Sequence, residues 1–295
     1  MDQNVSSHGF EYGVKHFFST KSGNLCAQVE DTLGLKSREV FELLQMGAIY
    51  LENQRQNENA LISENQLIRV HTKPRRFYCN FNWLEHIVFE NRDFLVLNKP
   101  SGLPSHPSVD NKIENSLYQT SLARQIPLFI THRLDTLTEG LIVYGKNQAF
   151  VKDFNQQLNQ RLIEKKYVAL VDSKQPLTGR LTHYMQPSPR APKNVSPIYQ
   201  PDWLLCELEI LSQKDYLGGS WVKINLLTGR THQIRGQLSE IKAPIYGDHL
   251  YGSNITWPPQ GSTPAERQQI ALRACELQFN WNSQRLLFNL DEKFN

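Results

Sequence analysis

Two apolar periods alternate along this chain of 295 residues. Near the start the spacing is helical. Leu25, Val29, Leu33 and Leu35 predict an amphipathic helix that runs into a turn at Gly34. Ser37 is placed to cap a second helix, whose apolar positions are Val40, Leu43 and Leu44 and whose end is marked by Gly47. The period then shortens. Residues 48–51 read as a strand, 52–56 as a turn and 66–71 as a second strand. Two helices and a short hairpin make a small module over residues 21–75, preceded by an irregular lead-in at residues 1–20. Residues 73–82 read as a linker, because Pro74 breaks regular structure and the neighbouring basic residues stay solvated.

A larger domain is expected over residues 83–295. Residues 86–90 and 94–98 form a β-hairpin about an Asn91-Arg92-Asp93 turn. A stiff loop with three prolines (Pro100, Pro104 and Pro107) follows, then a helix over 116–124. Phe150, Phe154 and Leu158 repeat every four residues and predict a helix over 149–161. Strands are expected at 165–171, 203–211 and 220–227, and a strand or a short helix-to-strand piece at 270–279. Residues 179–194 are polar and proline-rich and read as an exposed insertion. Strands and helices mix without regular βαβ alternation, which predicts an α+β fold with a mixed, largely antiparallel sheet.

One stretch concentrates chemistry. His132, Arg133 and Asp135 fall within four residues, a turn-forming run leads to Gly140, and Leu141-Ile142-Val143-Tyr144 is an apolar strand. A carboxylate at the lip of a tight loop backed by a buried strand can be held rigidly in a cleft. Equally, Asp135 could pair with Arg133 or accept loop N–H bonds, as aspartates in turns do.

Composition adds boundaries. At 39% hydrophobic and 21% charged the chain is an ordinary folded one. No apolar run is long enough for a bilayer span, and the first 23 residues carry neither a secretory signal nor an Arg-rich transit pattern. Cys26, Cys79, Cys206 and Cys275 form no CxxC pair, so neither a zinc site nor a disulfide framework is expected, and a cytoplasmic setting is the simplest inference. The net charge of +3 does not itself imply nucleic acid. The clusters at Lys73, Arg75 and Arg76, at Arg161, Lys165 and Lys166, at Arg190 and Lys193, and at Arg230 and Arg235 carry that question instead.

Four separated segments together resemble the RluA family of RNA pseudouridine synthases. They are Asn98-Lys99-Pro100-Ser101-Gly102-Leu103; His132-Arg133-Leu134-Asp135 with Thr138 and Gly140; Lys165-Lys166-Tyr167-Val168-Ala169; and Thr228-Gly229-Arg230-Thr231-His232-Gln233-Ile234-Arg235 continuing to Pro244-Ile245-Tyr246-Gly247-Asp248. The module before them resembles an S4-like RNA-binding module through Leu35-Lys36-Ser37-Arg38, Gly47-Ala48-Ile49-Tyr50-Leu51 and Ile68-Arg69-Val70, although Glu52-Asn53-Gln54-Arg55 stands where that module usually has Asn-Gly. In the larger domain Glu139 replaces a usual Ser, and Arg273 stands where His is frequent.

The resemblance implies isomerisation of uridine to pseudouridine in RNA without cofactor or metal, consistent with the lack of a GxGxxG or P-loop motif. It implies Asp135 as the catalytic carboxylate, acting either as nucleophile or as base, Arg235 as its charge partner and Tyr167 against the uracil. Arg133 would fill the space of the flipped base. His132 would orient the loop, Lys99, Arg230 and His232 would line the cleft and meet phosphates, Asp248 would fix a loop, and Arg38, Arg75 and Arg76 would offer RNA contacts from the N-terminal module and the basic stretch after it. The expected partner is ribosomal RNA, with tRNA second, and the expected state is a monomer with no membrane partner. Two other readings stand beside it. An inactive RNA-binding relative would not need the intact set of Asp135, Tyr167 and Arg235. A glycoside or nucleoside hydrolase would want two carboxylates, where the motifs supply one.

Overall fold

A computed structural model describes residues 13–216, 218–258 and 269–293. The chain forms two compact units. The smaller takes the residues up to Cys79 together with His106–Gln119, and the larger takes Asn80–Ser105 and the chain from Thr120 onward.

The smaller unit contains β1 (Val14–Phe18), β2 (Gly23–Asn24), α1 (Leu25–Leu33), α2 (Ser37–Gln45), β3 (Ile49–Leu51), β4 (Gln54–Arg55), β5 (Leu61–Ile62) and β6 (Leu67–His71). Both helices bury the predicted stripe. Leu25, Val29, Val40, Leu43 and Leu44 form one core with Ile49, Ile68 and Val70 from the strands. The sheet runs β1-β6-β3-β4, antiparallel throughout. The lead-in is thus partly regular: residues 14–18 form an edge strand paired to β6, a correction to the irregular start expected there. The first 12 residues of that lead-in lie outside the described residues.

Ser37 does not cap α2. The cap position is Lys36, whose N–H donates to Glu39 Oε2 at 2.8 Å, while Ser37 Oγ donates to Glu30 Oε2 at 3.0 Å. A glutamate three residues in thus satisfies the N–H of the cap residue itself, the reciprocal half of a capping box. The β3–β4 turn places Glu52 and Asn53 at φ 49° and 62°, both left-handed as a two-residue hairpin requires, although neither is glycine.

The expected solvated linker is also corrected. Arg75 makes a bidentate contact with the buried Asp110 (Nη2 to Oδ1 2.6 Å, Nε to Oδ2 3.0 Å), and Arg76 Nε donates to Glu114 Oε1 at 2.9 Å. Burial would raise the Asp110 carboxyl, but the Arg75 hydrogen bonds and charge hold it down at about 2. Residues 106–119 therefore supply the anions that fasten the basic stretch.

The larger unit contains β7 (Ile87–Glu90), β8 (Phe94–Lys99), β9 (Phe129–Ile130), β10 (Glu139–Gly145), β11 (Glu164–Val171), β12 (Gly179–Met185), β13 (Val195–Ser196), β14 (Leu204–Tyr216), β15 (Gly219–Leu226), β16 (Leu272–Trp281) and β17 (Gln284–Asn289). Its helices are α4 (Gln148–Asn159) and α5 (Gln233–Glu240), and α3 (Ser116–Arg124) begins where the chain passes from one unit to the other. The sheet path is β13-β12-β14-β15-β11-β16-β10-β8-β7, with β17 added on β16 and β9 on β10. Pairing is antiparallel except between β10 and β16, which makes the sheet mixed and largely antiparallel as the chain pattern predicts. Phe94, Phe150, Phe154 and Phe279 build an aromatic core under α4; Phe94 and Phe150 stack with centroids 4.7 Å apart.

The expected exposed insertion is half wrong. Residues 179–185 form β12, paired over its whole length with β14, with His183 and Met185 buried. β17, which the chain pattern did not predict, closes a hairpin with β16.

The parallel contact has a tight point. Glu139 and Gly140 lie opposite Arg273 and Ala274. Gly140 has φ 110°, and a Cβ there would lie 2.3 Å from Ala274 O. Only glycine meets both the conformation and the approach. Gly140→Ala is expected to destabilise the protein by about 3 kcal/mol, read as a lower urea midpoint; an unchanged midpoint would mean that β10 does not lie on β16 in this register.

Candidate active site

Asp135 sits on the loop between β9 and β10, and the end of β8 with the proline-rich loop after it holds that loop by three side chains. Ser105 Oγ donates to Leu134 O at 2.8 Å and accepts from Leu134 N–H at 3.0 Å. Ser101 Oγ donates to Leu137 O at 2.6 Å. Lys99 Nζ donates to Pro100 O, Leu103 O and Thr136 O at 2.9, 2.7 and 3.2 Å. Prolines stiffen the holding loop, but hydroxyls and an ammonium bind it to the loop that carries the carboxylate. Thr138 N–H closes the turn on Asp135 O at 3.1 Å.

Lys99 is 0% exposed. Its ammonium is spent on three carbonyls, so the expected phosphate contact at the cleft wall is corrected: Lys99 organises the loops from beneath. Burial pulls its pKa down to about 7, against the opposing charges of Asp135 and Glu139. His132 also turns inward. Its Nε2 accepts from Val143 N–H at 3.1 Å, its ring stacks on Phe154 at 5.7 Å, and burial takes its pKa down to about 3, so it is a neutral ring tying the loop to β10. Arg133, the next residue, is exposed.

The cationic side comes from α5. His232 precedes the helix with φ 59°, and this left-handed residue turns its ring toward the loop, Nε2 lying 3.8 Å from Asp135 Oδ2. Arg235, 4% exposed at its side chain, lies with Nη1 3.7 Å from the same oxygen. Its closest anion is another. Nε and Nη2 donate to Asp248 Oδ2 and Oδ1 at 2.6 and 2.8 Å, a fork-to-fork pair. The bidentate contact of Arg235 therefore belongs to Asp248, a residue to which the sequence reading gave only a loop-fixing role, and not to Asp135. Burial works against the Arg235 charge, but the hydrogen bonds and charge of Asp248 and the charge of Asp135 hold its pKa above the ordinary value. Asp135 keeps a fifth of its side chain exposed and meets the guanidinium without being consumed by it.

Tyr251 escaped the sequence reading. Its ring lies under the Arg235 guanidinium at 4.9 Å, and its hydroxyl lies 3.0 Å from His232 Nδ1 and accepts from Lys193 N–H at 2.8 Å. It is a single tyrosine at the end of a three-residue 3-10 helix, His249–Tyr251, and no spacing signals it. Burial pushes its pKa up to about 12. Burial takes the His232 ring down to about 4, with Asp135 pulling the other way.

Gln233 locks the approach to α5. Its Oε1 accepts from Thr228 Oγ1 at 2.8 Å and Arg230 N–H at 3.0 Å, while its Nε2 donates to Glu207 O and Gln237 Oε1 at 3.0 and 2.9 Å. Both ends of one buried amide are used, so the loop carrying the exposed Arg230 is fixed at its backbone. Tyr167 is 6% exposed on β11; burial raises its hydroxyl pKa above the ordinary value, and the Asp135 charge adds to that. Lys165, two residues earlier, points its ammonium toward the Gly229 backbone, where an added Cβ would meet it at 3.2 Å. Burial lowers the Lys165 pKa. In the smaller unit Arg38 is exposed, its Nε 3.1 Å from Glu42 Oε1.

The two departures from the family pattern meet. Arg273 Nε donates to Glu139 Oε1 at 2.6 Å, and both side chains are largely buried.

Comparisons with known proteins give the family of the chain. A family model described as RNA pseudouridylate synthase matches residues 93–240. The chain is 34% identical over 219 residues to RNA pseudouridine synthase 6, chloroplastic, of Oryza sativa, a stretch of 65% of this chain and 46% of that protein. It is 29% identical over 233 residues to ribosomal large subunit pseudouridine synthase C of Buchnera aphidicola, covering 72% of this chain and 71% of that one. The chain thus spans about half the length of the plant relative and most of the bacterial one. Among solved structures, human RNA pseudouridylate synthase domain containing 1 superposes with a TM-score of 0.54 at 25% identity, over 69% of this chain and 82% of that one. With half of its length under the family model and a sheet of the same kind, the chain belongs to the RNA pseudouridylate synthase family.

Proposed function

We propose that this protein isomerises uridine to pseudouridine in structured RNA, ribosomal RNA first and tRNA second, with Asp135 as the catalytic carboxylate. The observation that carries the reading is Asp135 itself: a partly exposed carboxylate on a loop held by Ser101, Ser105 and Lys99, with Arg235 Nη1 3.7 Å from its Oδ2. The neighbouring guanidinium gives that carboxylate a counter-charge. In the reaction the N1–C1′ bond breaks, the base turns, C5 bonds to C1′, and the C5 proton is lost as N1 gains one. Atoms and redox state balance, so no co-reactant enters.

The uridine leaves its stack at a cost of about 2–4 kcal/mol. Arg133, exposed two residues before Asp135, fills the space it vacates. Tyr167, held neutral, stacks against the uracil. A hydroxyl whose pKa is raised stays protonated, so it can take the C5 proton only as it gives up its own. Arg230 and Lys165 meet phosphate. Arg38 on α2 gives the S4-like module its contact, whereas Arg75 and Arg76 contribute mainly through the pairs they make with Asp110 and Glu114. The Buchnera relative is named for the ribosomal large subunit, which favours ribosomal RNA as the substrate. The proposal includes a cytoplasmic monomer; among the described residues no helix is long and apolar enough to cross a membrane.

Asp135→Ala should lower pseudouridine formation on total RNA by at least about 1,000-fold, measured by mass spectrometry of nucleosides, and equal activity in both proteins would remove Asp135 from the chemistry. Arg235→Met should abolish turnover with RNA affinity kept within about tenfold. Asp248→Asn should lower the single-turnover rate by about tenfold or more, because half of the fork that aims Arg235 loses its charge; a wild-type rate would show that the guanidinium needs no such partner.

A further inference from the structure

A short relay of polar atoms approaches Asp135 from the side of α5. Lys193, between β12 and β13, donates its main-chain N–H to Tyr251 Oη at 2.8 Å. The same oxygen lies 3.0 Å from His232 Nδ1. The opposite nitrogen of that ring, Nε2, faces Asp135 Oδ2 at 3.8 Å. The relay is seated at both ends. Tyr251 is buried, its ring lies under the Arg235 guanidinium, and its carbonyl accepts from Ser239 Oγ at 2.7 Å. Val195, two residues after Lys193, rests against α5, where a Cβ on Gly236 would meet its Cγ2 at 2.8 Å.

The direction of the relay follows from its first member. A main-chain N–H only donates, so Tyr251 Oη accepts from Lys193. The phenol has one proton to place, and among the described residues His232 Nδ1 is the one acceptor within reach of it. Were Nδ1 protonated, the phenol would accept twice and its own proton would stay buried without a partner. The bond therefore runs from Tyr251 to Nδ1. Burial keeps the ring neutral at ordinary pH. A neutral imidazole carries one proton, and with Nδ1 accepting, that proton is on Nε2. The opposite tautomer would set a nitrogen lone pair against the carboxylate.

We infer that Tyr251 is a positioning residue that fixes His232 as its Nε2–H tautomer, so that His232 stands beside Arg235 as a second, neutral donor facing the Asp135 carboxylate. This rests on the reading of Asp135 as the catalytic carboxylate. The guanidinium supplies the charge. The imidazole supplies an oriented N–H without adding a second buried cation.

The test uses the full chain with isotope-labelled histidine. The ring nitrogens are read by NMR near neutral pH, and the His232 signals are assigned by their loss in His232→Leu. In the wild type His232 is a neutral ring with its proton on Nε2. Tyr251→Phe keeps the ring under Arg235 and removes only the hydroxyl; there the preference is lost and a mixture of tautomers appears. Single-turnover pseudouridine formation is then measured on total RNA from cells lacking the gene. Tyr251→Phe lowers the rate by about tenfold in the wild-type background and by less than about twofold in His232→Leu, because the hydroxyl acts through the imidazole. His232→Gln, whose amide N–H can stand in for Nε2–H, recovers most of the rate that His232→Leu loses. Should His232→Leu not fold, His232→Gln takes over the assignment and the tautomer in Tyr251→Phe decides alone. A charged ring, a proton on Nδ1, an Nε2–H ring unchanged in Tyr251→Phe, or a Tyr251→Phe loss of equal size in His232→Leu overturns the inference. The tautomer is read without RNA, so full activity in Asp135→Ala would end the catalytic reading of Asp135 while the Tyr251–His232 relay was still decided by its spectrum.

Discussion

The arrangement depends on one guanidinium shared unequally between two carboxylates. Arg235 is almost wholly buried, and a buried cation left alone is strongly destabilising. Asp248 answers it with two short hydrogen bonds, and this settles the desolvation of the arginine before any substrate arrives. What remains is a third nitrogen aimed at Asp135 from 3.7 Å, near enough for its charge to be felt and too far to saturate the oxygen. If Asp135 were the bidentate partner, its lone pairs would be occupied and its reactivity blunted. The unequal sharing engages one carboxylate in full and leaves the other with lone pairs open, as the role proposed for Asp135 requires.

Everything around this contact serves to hold its two sides at that spacing. On one side the loop between β9 and β10 is fixed by Ser101, Ser105, Lys99 and His132, mostly through backbone carbonyls, so the hold does not depend on which residues follow Asp135. On the other, Gln233 and the left-handed turn at His232 set the start of α5, and Tyr251 supports the guanidinium from below. The sheet joins the sides: β10 carries the loop outward, β16 pairs with it at Gly140, and β11 brings Tyr167 alongside.

How much of this the sequence disclosed follows from how local each signal is. The hairpin of β7 and β8, the helices α1, α2 and α4, and the strand β11 each carry their pattern within a dozen residues, and each was legible. β12 was not, because its inward positions include His183, whose partner Gln237 lies 54 residues away and turns a polar residue into a core one. Asp135, Tyr167 and Arg235 could be singled out by residue type and motif, but which carboxylate takes the arginine's fork is a matter of ångströms, and Asp248 was given the lesser part. Glu139 and Arg273 stood out separately as departures. That they are one feature depends on a parallel register joining positions 134 residues apart.

The smaller unit is built from two stretches of chain, and this has a consequence for anyone reshaping the protein. Asp110 and Glu114 belong to the second stretch, and the arginines that neutralise them, Arg75 and Arg76, to the first. Trimming the chain back to residue 80 would not yield the larger unit alone. It would leave two poorly hydrated carboxylates stranded without counter-ions on a segment that had lost its hydrophobic base in α1 and α2. The module resembles a detachable appendage only when read along the chain. In space it is threaded twice, and the natural unit of exchange, in the laboratory or in gene history, is both stretches together.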